Sequence, residues 1–205
     1  MNSADELERL LDKDEFKTWG FVIYRCTYHS HSDWEKLMVR LHKRVKKYLE
    51  RCNGLDLLGR FAPTVLEDRS FEGATVISLR EKFNEWAVTA IKEEQGIDPS
   101  QVPLFHMVDQ KALDSILSTS EDDIHGGFVR LVNAEWKPEE LDAEELAERG
   151  GPGPEEEPLE GCTEEDVGWM KVCWGDSQML GYLELDDSLR WDRYYSRPPV
   201  IQPLS

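Results

Sequence analysis

Residues 19–34, WGFVIYRCTYHSHSDW, constrain the fold more than any other stretch of this chain. An apolar run of strand character passes through two histidines into a helix start. Strand side chains alternate between faces. Phe21, Ile23, Arg25 and Thr27 therefore share one face, and Val22, Tyr24, Cys26 and Tyr28 share the other. Arg25 sits among apolar neighbours and must find an anion, a carboxylate or a set of carbonyls, because an unpaired buried charge is costly.

The next segment has the pattern of an amphipathic helix. Trp34, Leu37, Met38, Leu41, Val45, Tyr48, Leu49 and Cys52 recur at spacings of three and four. Ser32 with Glu35 has the form of a capping box, and Gly54 marks the end. The outer face carries seven cations: Lys36, Arg40, Lys43, Arg44, Lys46, Lys47 and Arg51.

Two further boxes, Ser3/Glu6 and Ser78/Glu81, predict helices over 3–13 and from 78 through Ile91. Strands are predicted at 61–67, weakened by Pro63, at 104–108, at 128–136 and at 167–174. Asp109 is placed to cap a short helix, and another is expected over 177–185. The tail WDRYYSRPPVIQPLS reads as extended, with Tyr194 and Tyr195 packing it down. The strands mix apolar with polar residues, and two contain arginine. The expectation is a single α+β domain spanning 1–205. Its core would be a two-layer sandwich, a mixed four- to five-stranded sheet with amphipathic helices mainly on one face. A ferredoxin-like arrangement is the leading specific form.

Charge divides the chain. The net charge is −18, and residues 138–166 hold thirteen acids against Arg149 alone. That segment accounts for −12 and leaves −6 for the rest. It reads as an acidic, partly disordered insertion, most mobile over 150–158, GGPGPEEEP. So acidic a surface argues against nucleic acid as a partner, since such affinity rests on phosphate neutralisation. The basic helix face reads by default as a solvated surface; the other readings are contact with nucleic acid or acidic lipid, or the insertion lying over it in cis through weak, salt-sensitive pairs.

The four cysteines, Cys26, Cys52, Cys162 and Cys173, form no CxxC pair and read as free thiols. The N-terminus lacks the apolar core of a signal peptide, and no apolar run is long enough to span a membrane. A cytoplasmic protein is expected.

WGFVIYRCTY, a following DW, then REKFNEW, HMVD, and GCTEEDVGWMKV before YYSRPP together resemble a large family of uncharacterised proteins of filamentous fungi. The resemblance spans residues 19–199. It implies a fungal, intracellular source and carries over no activity, cofactor or catalytic residue.

Candidate functional residues are few. Arg25 and Arg130 lie in different strands and would clamp a small anion if those strands were neighbours. Otherwise each pairs with a carboxylate such as Asp68, Asp109 or Glu135. His106 and Asp109 are the candidates for a catalytic acid/base pair. His29 and His31 form an HxH pair beside Asp33, too little for a metal site without a third ligand, so no metal is expected. Phosphate-loop, dinucleotide and nucleophile-elbow signatures are missing, so no cofactor is expected. Cys26 reads as inert core rather than nucleophile. Composition favours a non-catalytic interaction module whose partner is a protein or a small anionic molecule. The alternative is a small-molecule enzyme (a hydrolase, isomerase or tailoring activity) that holds an anionic substrate through Arg25 and Arg130. Nothing in the sequence sets the oligomeric state.

Overall fold

The computed structural model describes residues 2–13, 15–92, 103–123, 125–138, 148, 156–175, 177–185 and 188–204. Its helices are α1 (Ser3–Lys13), α2 (His31–Arg51), α3 (Val76–Lys92), α4 (Gln110–Leu117), α5 (Met179–Glu184) and α6 (Ser188–Tyr194). Its strands are β1 (Val22–Arg25), β2 (Thr64–Glu67), β3 (Leu104–Val108), β4 (Phe128–Asn133), β5 (Trp169–Cys173) and β6 (Ile201–Gln202). They form one mixed sheet of six strands in the order β2-β1-β3-β4-β5-β6. β1 runs parallel to β2 and β3, β4 runs antiparallel to β3 and β5, and β6 runs parallel to β5.

Two features correct the sequence expectation. The sheet has six strands rather than four or five, because the proline-rich tail adds β6 at one edge. The element order is not the β-α-β-β-α-β order of a ferredoxin-like chain, because α3 separates β2 from β3.

Each face of the sheet has its own core. Phe21, Ile23, Leu104, Val129, Leu131, Met170 and Val172 meet α1, α2, α4, α5 and α6 on one face. Val22, Tyr24, Phe105, Met107, Val132 and Trp169 meet α3 on the other. Most helices thus share one face, as the sequence suggests, yet α2 and α3 cross on opposite sides of β1. β1 and β3 are buried along their whole length, as parallel strands covered on both faces must be.

The helix starts lie upstream of the predicted boxes. Asn2 caps α1, its Oδ1 accepting from the Ala4 and Asp5 amides. Ser30, with an extended backbone, caps α2 through the Asp33 amide, so Ser32 lies inside the helix. Thr75 accepts from the Ser78 amide and displaces the Ser78/Glu81 box. At the end of α2, Asn53 rather than Gly54 takes the left-handed conformation, φ 55°. The Gly54 amide then bonds the Leu49 carbonyl, a closure of the Schellman type. Asp109 caps α4 as expected.

Gly127 shapes the turn between α4 and β4. Its φ is +75°, and a Cβ there would come within 2.7 Å of the Ile116 Cα. The colliding atom is backbone, so no rotamer change relieves it. We expect Gly127→Ala to cost about 2 kcal/mol through the left-handed strain and the clash. Urea denaturation would check this, and an unchanged midpoint would show that the turn re-forms freely.

Candidate functional site

In an open α/β sheet, ligands favour the crevice beyond the carboxyl ends of parallel strands where the chain reverses its direction of travel. Here the chain leaves β1 for β2 by way of α2, then returns across the other face by way of α3 to β3. The crevice therefore opens at the ends of β1 and β3, among Arg25, Cys26, Thr27, Asp109 and Gln110. The chain's own bonds span it. The Cys26 amide donates to the Val108 carbonyl at 2.9 Å. The Thr27 hydroxyl donates to Gln110 Oε1, and Asp109 turns one oxygen to the Ala112 amide of α4.

Arg25 is 4% exposed and is held from four sides. Its Nε donates to the Thr27 carbonyl at 3.0 Å. Its Nη1 lies 3.3 Å from Glu67 Oε1 and 3.3 Å from His31 Nδ1. Its guanidinium stacks over the rings of Tyr28 and Trp34, 4.5 and 5.0 Å from their centroids. The partner is Glu67, which faces Arg25 in the parallel register of β1 and β2.

Arg130 is held as firmly on the other face. Its register neighbours on the adjoining strands are Met107 and Lys171. One amino group lies 2.8 Å from Asp109, the other 2.7 Å from Glu160, and the guanidinium sits over Trp169. β3 stands between β1 and β4, and the two arginines emerge on opposite faces of the sheet. They do not form a joint clamp.

His106 and Asp109 do not meet as an acid/base pair either. His106 is fully buried on the α2 face. It packs on Phe21 with ring centroids 4.6 Å apart, and its Nδ1 lies 2.9 Å from Gln178 Nε2. Burial holds the imidazole down to about 3, so it is neutral at physiological pH. Cys26 is buried as well. Desolvation, assisted by the Asp109 charge and opposed by Arg130, pushes its thiol up to about 12, which removes the thiolate that nucleophilic chemistry requires. His29 and His31 are exposed and turn to different acids, Glu72 and Glu35. Among the described residues, no three His, Cys, Asp or Glu side chains converge as a metal site.

Glu160 is a site residue that sequence reasoning missed. It shares a tight turn with Gly161; both have positive φ, 52° and 90°. Leu159 and Cys162 exchange backbone hydrogen bonds across that turn. The Glu160 carboxylate reaches Arg130 with one oxygen and accepts from the Val76 amide at the start of α3 with the other. The Glu-Gly dipeptide between apolar Leu159 and Cys162 is the only local signal, and it resembles other hairpin turns.

The remaining candidate surface is a hollow of about 170 Å3 between α2 and the turn that joins α4 to β4. Ile116 and Trp174 line its base, and Arg40, Lys43, Arg44 and Lys47 converge on it from α2. The same cations grip the turn. Arg40 donates to the Ile116 and Thr119 carbonyls, and Arg44 donates to those of Glu121 and Asp123. Lys43 pairs with Glu121 at 3.2 Å and Lys47 with Asp122 at 2.7 Å. Lys47 draws the Asp122 carboxyl below its ordinary range.

Among the described residues, the acids paired with Arg40, Lys43 and Lys47 of α2 are those of this turn. Residues 139–147 and 149–155 lie outside the described residues, and with them most of the expected mobile stretch. The described acids beyond them turn elsewhere. Glu160 binds Arg130, Asp166 accepts from the Gly168 amide and the Trp191 indole, and Glu156 lies 4.0 Å from Arg197. Arg197 also donates to the Glu157 carbonyl at 2.6 Å, which ties residues 156–158 to the tail.

No disulfide joins any two of the four cysteines. No helix among the described residues is long and apolar enough to cross a membrane. No family model, curated protein or solved structure matches the chain.

Proposed function

We propose that the protein is a non-catalytic binding module that takes a compact anionic group in the hollow on α2. The observation that carries this reading is the convergence of four cations from one helix on a hollow with an apolar base. The groups with catalytic potential are engaged elsewhere: Arg25 with Glu67, Arg130 with Asp109 and Glu160, and neutral His106 with Gln178. The pairs around the hollow are different in kind. Lys43 is 63% exposed, and its partner Glu121 is 53% exposed. Such pairs contribute about 0–1 kcal/mol, so an arriving anion displaces them at little cost.

Sites for whole small molecules typically enclose about 300–1,000 Å3. A hollow of about 170 Å3 suits a single phosphoryl-sized group instead. The net charge of −18 does not forbid this. Much of it belongs to residues 138–166, and repulsion is screened beyond about 10 Å at 0.1 M salt. Four cysteines without a disulfide among them support a reducing compartment such as the cytoplasm.

Calorimetric titration with inorganic phosphate at low salt tests the proposal. We expect saturable one-to-one binding, weakened at least tenfold by the double change Lys43→Ala/Lys47→Ala. Equal binding by the variant, or none by the native chain, would reject the hollow as the site.

A further inference from the structure

The hollow has a hydroxyl on its wall that the proposed binding role does not use. Ser120 is exposed and follows α4 in the sequence Ser118-Thr119-Ser120-Glu121-Asp122-Asp123. Its oxygen accepts from the Asp122 amide at 3.3 Å. Its two hydroxyl neighbours are committed as donors: Ser118 to the Ser115 carbonyl and half-buried Thr119 to the Ile116 carbonyl. Three carboxylates follow Ser120 directly. Kinases select substrates by such charge patterns, and an enzyme with a basic substrate cleft reads acids placed just after the acceptor.

We propose that Ser120 is a phosphoacceptor and that the hollow on α2 receives the phosphate it acquires. The inference rests on the reading of the hollow as an anion site and names regulation of that site. In the modifying step, a serine/threonine kinase transfers the γ-phosphoryl group of ATP to Ser120 Oγ. A new O–P bond forms, the bond to the ADP leaving group breaks, and the hydroxyl proton passes to the kinase's base. The product carries about −1.5 to −2 charge and three strong acceptor oxygens. Lys43, Arg44 and Lys47 line the same hollow from α2, and charge-assisted bonds to a phosphate are the stronger kind. Glu121 and Asp122, 53% and 84% exposed, turn out to water as the phosphate replaces them. The hollow is then filled in cis and closed to an outside anion.

The test begins with the full chain, Mg-ATP and an acid-directed serine/threonine kinase, with the product mapped by mass spectrometry. We expect one phosphate on Ser120 in the native chain and in Ser118→Ala/Thr119→Ala, and none in Ser120→Ala. Modification confined to Ser118 or Thr119, or no modification, would overturn the proposal. The second measurement is phosphorus NMR of the modified chain across pH. We expect the phosphate to ionise below the range of free phosphoserine, with a return to that range in Lys43→Ala/Lys47→Ala. A free-phosphoserine titration in the native background would overturn the receiving role. Titration with inorganic phosphate separates the two ideas. Its failure with unmodified protein sinks the binding reading alone, while a modified chain that still binds with unchanged affinity sinks the regulatory one.

Discussion

Arg130→Ala should be the most damaging single substitution considered for this chain, lowering stability by about 3–5 kcal/mol. The arginine is 16% exposed and holds two carboxylates that are themselves mostly covered, Asp109 at 18% and Glu160 at 24%. Truncation leaves Asp109 and Glu160 without the guanidinium that joins them beside Trp169. At this chain length 1 kcal/mol corresponds to about 2–4 °C in melting temperature, so the midpoint should fall by roughly 10 °C. Arg130→Lys should recover less than half of the loss, because an ammonium cannot present two amino groups to two carboxylates in one plane. Thermal and urea denaturation of the three proteins would decide it. An alanine variant within about 1 kcal/mol of the native chain would mean that the triad is idle. Arg25→Ala should cost less, because its partner Glu67 is 45% exposed and water can solvate it once the arginine is gone.

The second large effect is a loss of stability in acid that belongs to His106. Its folded-state value, about 3, lies below the ordinary 6.5. Above pH 6.5 the imidazole is neutral in both states and contributes no pH dependence. Below pH 6.5 the unfolded chain binds a proton at this residue that the folded chain refuses. Stability then falls by about 1.4 kcal/mol per pH unit until the folded-state value is reached. Between pH 6.5 and 4.5 the loss should reach roughly 3 kcal/mol, a large part of the ordinary margin for a domain. His106→Gln keeps a polar partner for Gln178 and removes the titration. Urea midpoints of both proteins across that window should diverge in slope by about one proton. Parallel slopes would show that the histidine is hydrated when folded.

Much of the fold is legible locally because it depends on local patterns. The alternation around Ile23 and Tyr24 assigns the two faces of β1, and both faces prove to be cores. The three- and four-residue spacing over 34–52 yields α2 to within a residue or two. Caps are less legible. Asn2, Ser30 and Thr75 each compete with a neighbouring residue that fits the same box, and backbone conformation chooses between them. β6 is harder still: a two-residue edge strand has no periodicity, and it exists because Lys171 and Val172 offer it partners.

Functional placement shows the same division. Composition and spacing determined that this chain forms capped amphipathic helices around buried strands, keeps its cysteines apart, and carries a strongly basic helix face. They also determined that Arg25 and Arg130 lie in strands and that Asp109 begins a helix. Only the tertiary structure decided what those groups touch. It put β3 between the two arginines and turned them to opposite faces, gave Glu160 to Arg130, and buried His106 against Gln178. It also set acids of the turn between α4 and β4 against the cations of α2. The physical reason is that secondary structure answers to neighbours a few residues away. Ion pairs and hollows answer to strand order, and strand order is fixed by how two separate cores close around one sheet.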